Sequence, residues 1–256
     1  MYRSLRSDEI VKTAESLARR VNSRFPESGL AKVASELRDV ACETRDRCVQ
    51  ISRPNVALRV VVVLLLLVGV AFMGAVVANI RFTDDIWHLT TFVESAEALV
   101  ADLVFVGVGV LFLVTLETRL KRLRALDAIN ELRALAHIVD MHQLTKDPEA
   151  VLGQYPIDSE SPERNMNAFE LNRYLDYCSE MLAIVAKVGA LYVQSFPDRD
   201  ALRAVDEIEG LTTGLSRKIW QKIMILDRYA VRDAPAKVVK RRPAKPRKRQ
   251  VAKRAS

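Results

Sequence analysis

The chain has 256 residues and three histidines. Two of them stand in its densest polar cluster, Ala136-His137-Ile138-Val139-Asp140-Met141-His142. On a helix, His137 and Asp140 are one turn apart, where an imidazole and a carboxylate could share a metal ion or a proton. His142 follows His137 by five residues, about 140° farther round the helix, and faces elsewhere. A metalloprotease-type site needs two histidines at i, i+4 beside a glutamate, and the cluster does not offer that pattern. His137 and Asp140 are therefore candidates for a metal or acid–base site, set against hydrogen bonding inside a helical bundle as the simpler role. Other catalytic signatures are missing: the sequence contains no G-x-x-x-x-G-K-[ST] and no G-x-S-x-G. Gly107-Val108-Gly109 falls inside an apolar run and reads as packing. Asp206, Glu207 and Glu209 read as a solvated helix face. No cofactor is implied.

A second cluster, Asn130-Glu131-Leu132-Arg133, resembles the H-E-L-R core of the histidine-kinase phosphoacceptor helix. The acceptor position holds Asn130, which has no imidazole to phosphorylate. No proline follows Arg133, and no glycine-rich nucleotide-binding segment follows downstream. A kinase is excluded on these grounds.

The strongest binding signal lies at the C-terminus. Lys237, Lys240, Arg241, Arg242, Lys245, Arg247, Lys248, Arg249, Lys253 and Arg254 alternate with prolines and alanines, and no acid interrupts them. The chain's net charge is +7; without these ten cations, 29 basic residues face 32 acidic ones, a net of −3. The basicity is thus a property of the tail. A segment with so little to bury is expected to be disordered. It resembles the Ala/Pro/Lys-rich tails of bacterial nucleoid proteins and linker histones. Each phosphate it neutralises would release counterions, giving salt-sensitive, sequence-independent binding to nucleic acid. The same charges would hold an anionic lipid leaflet at about 1 kcal/mol per basic residue. A tail that only improves solubility or enforces topology is the third reading. No aromatic residue interleaves to stack on single-stranded bases.

These groups must be positioned by helices, two of which are apolar enough to lie in a membrane. Val60 to Ala78 is nineteen residues without a polar side chain, and Leu103 to Leu116 carries no charge. About 20 apolar residues span a hydrocarbon core as a helix. Arg45, Arg47, Arg53 and Arg59 precede the first run, and Arg119, Lys121, Arg122 and Arg124 follow the second. The loop between them has Arg81 against Asp84, Asp85, Glu94 and Glu97. Basic flanks stay inside, which predicts both termini in the cytoplasm. The first apolar run begins too far into the chain to be a signal peptide. Asp102 reads as an interfacial acid, and Phe82, Trp87, His88 and Phe92 as an interfacial anchor. Ala71, Gly74, Ala75 and Ala78 form a small-residue face that would allow close helix packing, against the second span or a second copy.

The remaining pattern predicts an all-α fold: a transmembrane helical hairpin, long cytoplasmic helices forming a bundle, and a disordered basic tail. The expected divisions are a cytoplasmic helical hairpin over 1–54, spans over 55–80 and 95–117 joined by an external loop over 81–94, a bundle region over 118–233, and the tail over 234–256. Ser7 or Asp8 is expected to cap the first helix, and Asn55 the first span. From Leu120 to Leu144 an aliphatic residue recurs at every third position, so its stripe winds round the helix. That predicts a helix with neighbours on several sides, the central post of the bundle. Helices are expected over about 164–195 and 200–231. Cys42, Cys48 and Cys178 read as neutral thiols.

The stretch from Glu131 to Pro148, with its His137-Ile138-Val139-Asp140-Met141-His142 core, resembles one found in uncharacterised bacterial inner-membrane proteins. Leu211-Thr212-Thr213-Gly214-Leu215-Ser216-Arg217-Lys218-Ile219-Trp220-Gln221-Lys222-Ile223 resembles a second. The resemblance implies the bacterial inner membrane and carries no activity. It draws attention to Gly214, Ser216, Arg217, Lys218 and Trp220, which alone read as a helix with a packing tryptophan. The expected function is a non-enzymatic scaffold whose cytoplasmic helices self-associate or bind a protein partner and whose tail binds anionic lipid or nucleic acid. The alternative is a metal-dependent enzyme or sensor built on His137 and Asp140.

Overall fold

A computed structural model describes residues 4–79, 89–148 and 166–233. The described residues form six long helices: α1 (Ser7–Arg24), α2 (Gly29–Ser52), α3 (Val56–Asn79), α4 (Leu89–Leu144), α5 (Ala168–Ser195) and α6 (Arg199–Asp233). The fold is all-α. Five helices pack as a bundle, with the second half of α4 as its contribution from that helix, while α3 packs against α4.

Local chemistry sets the helix ends. Neither Ser7 nor Asp8 caps α1: its N-cap is Arg6, whose side chain makes no cap bond. Between α1 and α2 the chain turns sharply, with Glu27 at φ 58°. Ser28 then caps α2 by accepting from the Ala31 N–H at 3.1 Å. Asn55 caps α3, accepting from the Leu58 N–H at 3.3 Å. Asn167 and Glu170 form a reciprocal capping box at the start of α5. In α4 the helix begins at Leu89, within the span 81–94 expected to be loop, and runs unbroken for 56 residues, about 84 Å at 1.5 Å per residue.

The winding stripe on α4 has a different outcome from the one its pattern predicts. Residues 129, 132 and 135 of the series are buried, but Leu120 and Leu123 emerge at one end and Ile138, Met141 and Leu144 at the other. The buried positions are instead Ala125, Ala128, Ile129, Leu132, Leu135, Ala136, Val139 and Gln143, spaced by helical turns so that they stay on one face. A three-residue step drifts off that face, and alanines fill the places it vacates.

The central post is α5, not α4. It packs on α1, α2, α4 and α6, and thirteen of its residues are buried, among them Leu175, Cys178, Met181, Leu182, Val185 and Val188. α6 presents Ala201, Val205, Ile208, Thr212, Leu215, Ile219, Ile223 and Leu226 to the core, steps of three and four that fit a two-helix seam. Trp220, expected to pack, is 58% exposed. It sits next to Ile219, and one residue further round the helix is enough to leave the seam.

Truncating α5 should therefore cost far more than truncating the emergent part of the α4 stripe. Leu182→Ala, at a side chain with no exposure, is expected to destabilise the bundle by about 2–5 kcal/mol. Leu123→Ala, half exposed in the monomer, should cost well under half as much. Chemical denaturation of both variants in the same detergent checks the difference.

Candidate functional site

Both candidate metal or acid–base residues, His137 and Asp140, lie on α4. His137 is exposed on α4. Asp140 turns to its own helix and accepts a hydrogen bond from Gln143 Nε2 at 2.5 Å. Among the described residues, no group of three or more His, Cys, Asp and Glu side chains is placed to hold a metal ion. His142 is placed by packing: it lies so close to Gly29 that a Cβ there would collide with the imidazole. Glycine is thus what lets the α1–α2 turn approach the end of α4.

Residues outside any catalytic motif organise this end of the bundle. Lys222 of α6 donates through Nζ to the carbonyls of Gln143, at 2.7 Å, and Lys146, at 3.1 Å, capping the end of α4 with a cation as its dipole favours. Burial lowers the Lys222 ammonium below the ordinary lysine value, against the opposing pull of Asp147 and Asp140. Tyr174 reaches the His142 carbonyl at 3.4 Å, and Lys146 stands over its ring. Burial pushes the Cys178 thiol up to about 12, so it is a neutral core residue. Cys42, Cys48 and Cys178 are all free. Lys222 could have been suspected from its place beside the seam residues Ile219 and Ile223. Its target could not, because carbonyl ends carry no sequence signal.

At the opposite end, α3 and α4 meet. Glu117 accepts from the backbone N–H of Asn55 at 3.0 Å and pairs with Lys121 at 2.9 Å, tying the start of α3 to α4. Gly69 makes the close approach, with its Cβ position 3.3 Å from the Val106 side chain. Within the chain, the expected small-residue face is not the part of α3 that meets α4. Ala71, Gly74 and Ala75 are exposed, and Gly74, Gly107 and Gly109 have nothing within 4 Å of a built Cβ. The side chains of Ala78 and Asp102 lie outside the described residues, as do residues 80–88 with Phe82, Trp87 and His88, and the ten tail cations from Lys237 to Arg254. α3 and the first part of α4 each carry a stretch long and apolar enough to cross a membrane, and the rest of the protein does not bury these stretches; Phe105 is 80% exposed.

Just beyond Lys121, a second polar contact fixes α4 to the α5–α6 turn. Arg122 donates to Asp198 Oδ2 through Nε at 3.0 Å and Nη2 at 2.8 Å, and pairs with Asp200 at 3.0 Å. Asp198 Oδ1 accepts from the N–H groups of Asp200 and Ala201, so the same carboxylate caps α6. Burial would raise this carboxyl, but the Arg122 and backbone donors outweigh it and hold it below the usual carboxylate value of 3.8. A carboxyl depressed on folding stabilises the fold above its unfolded pKa and ceases to do so as pH falls through its folded pKa. Asp198→Asn should therefore be less stable than the parent at pH 7, and the gap should close as pH falls below 3.8. Parallel denaturation curves at both pH values read this directly; a gap independent of pH would refute it.

No protein-family model matches the chain, and no curated protein or solved structure is significantly similar to it. The findings describe an all-helical protein with two long apolar helices, and identify no family.

Proposed function

We propose that the protein is a non-enzymatic scaffold of the bacterial inner membrane, anchored by α3 and α4 with both termini in the cytoplasm. The observation that carries this reading is the change in surface along one helix. The first part of α4 exposes Leu103, Val104, Phe105, Val108, Leu111 and Phe112, whereas the second part buries Ile129, Leu132 and Val139 in the bundle. Exposed apolar surface on this scale in water would be an aggregation liability; in a bilayer it is the required surface. The basic residues flanking both apolar helices support the inward orientation. The bundle offers a surface for self-association or a protein partner, and the tail over 234–256 binds a polyanion, either anionic lipid or nucleic acid. Among the described residues, no contact favours the metal-dependent reading of His137 and Asp140 over this one.

Two experiments test the proposal. In intact spheroplasts a membrane-impermeant maleimide should label Thr83→Cys while leaving the parent protein, with Cys42, Cys48 and Cys178, unlabelled until lysis. Labelling of the parent before lysis would overturn the orientation. Formaldehyde crosslinking in cells, followed by stringent membrane purification, should enrich nucleic acid or anionic lipid with the full chain. The Δ234–256 protein should lose that enrichment and His137→Ala should keep it. Equal recovery from the full chain and Δ234–256 would remove the tail's role.

A further inference from the structure

We propose that the groove between the second half of α1 and the first half of α5 binds a small water-soluble ligand carrying two or more phosphates. The groove, about 610 Å³, is lined by Ser16, Arg19, Arg20, Ser23, Arg24 and Tyr177. Its lining has no carboxylate, and one residue, Arg20, is already fixed. Arg20 forms a two-pronged pair with Glu180 and lies over the Tyr177 ring, which carries Arg173 as well. Arg173 is in turn held by Asp176 at 3.1 Å. Of the groove's own arginines, Arg20 is thus held before any ligand arrives, which lowers the ordering cost of binding.

Arg19 and Arg24 differ from these two. Both are exposed and neither has a carboxylate partner among the described residues; Arg24 rests on the Phe169 ring. On the same helix, Ser16 and Ser23 each lie about one turn from Arg19, and Ser23 directly precedes Arg24. Planar forks that donate in pairs match phosphate oxygens better than a point charge does. The groove therefore has one arginine held in an ion pair, two exposed arginines without a carboxylate partner among the described residues, and two hydroxyl donors. Membrane lipid is an unsuitable source of the phosphate on the proposed topology. The groove lies at the α1–α2 turn, and α2, 24 residues long, separates that turn from the start of α3 by about 36 Å.

The test uses the full chain in nanodiscs of zwitterionic lipid, titrated calorimetrically with inorganic tripolyphosphate. A parent in which the ten tail cations are replaced by glutamine removes the tail's contribution. This tail-neutral protein should show saturable binding near one ligand per chain. Adding R19Q/R24Q should weaken it by about tenfold or more, as expected for loss of charge-assisted bonds, with an unchanged melting temperature because both side chains are exposed. Ser23→Asp, which places a negative charge in the groove, should weaken binding similarly and serves if the double variant does not fold. Repeating the titration with anionic lipid in the discs should leave the affinity unchanged; competition by the lipid would overturn the soluble-ligand assignment. Absence of saturable binding to the tail-neutral protein, or unchanged affinity in R19Q/R24Q and Ser23→Asp, would overturn the site. Either result leaves the tail's own polyanion binding to stand or fall separately.

Discussion

One uninterrupted backbone ladder, from Leu89 to Leu144, joins two parts of the molecule that bury their apolar atoms in opposite ways. Neither proline nor glycine breaks it between Val110 and Leu144, so the helix has no cheap place to bend as its surroundings change. Whatever fixes the first half in direction also fixes the second. The anchoring contacts lie where the character changes: Glu117 to the Asn55 N–H, Lys121 to Glu117, and Arg122 to Asp198 and Asp200. Within two turns of α4, these contacts tie in the start of α3 and the α5–α6 turn.

The bundle itself rests on burial more than on charge. Its ion pairs sit on the rim, where solvent and side-chain entropy leave each worth about 0–1 kcal/mol. Arg47 to Glu131, Arg133 to Glu207 and Arg20 to Glu180 mainly set which helix faces which. The interior is closed by α5, which packs on α1, α2, α4 and α6; its polar contents are few, and among the described residues Gln143 Oε1 and Asn172 Oδ1 are buried without a hydrogen-bond partner. Tyr192 donates to Thr44 at 3.1 Å in a buried pair between α5 and α2, which avoids the cost of an unsatisfied hydroxyl. Lys222 does comparable work at the far end by taking up carbonyls that the last turn of α4 leaves open.

A scaffold reading gives each part a physical role. Exposed aliphatic and aromatic side chains on α3 and early α4 suit a hydrocarbon solvent. A covered bundle beyond Arg122 suits water. A basic tail suits a phosphate-rich surface, and the arginine groove at the α1–α2 end suits a phosphate ligand away from the bilayer. The two phosphate-directed elements differ in kind. On the proposed reading the tail would act by charge density, whereas the groove would act by the placement of a few guanidiniums.

Much of this architecture was legible in the sequence. Helical periodicity pointed to the all-α class, Asn55 marked the start of the first apolar helix, and two charge-free runs marked the apolar helices. These are local properties, determined by side-chain size, backbone freedom and transfer from water, and they survive without knowledge of neighbours. Only the tertiary structure decided which helix is central, because the three-residue stripe on α4 announces apolar surface without saying how much of it finds a partner. It also decided that Trp220 faces out, that Gly69 approaches Val106 in the α3–α4 contact, and that Asp140 accepts a hydrogen bond from Gln143. Each of these depends on the rotation of one helix against another, a few tens of degrees that the spacing of residues along a single chain does not encode.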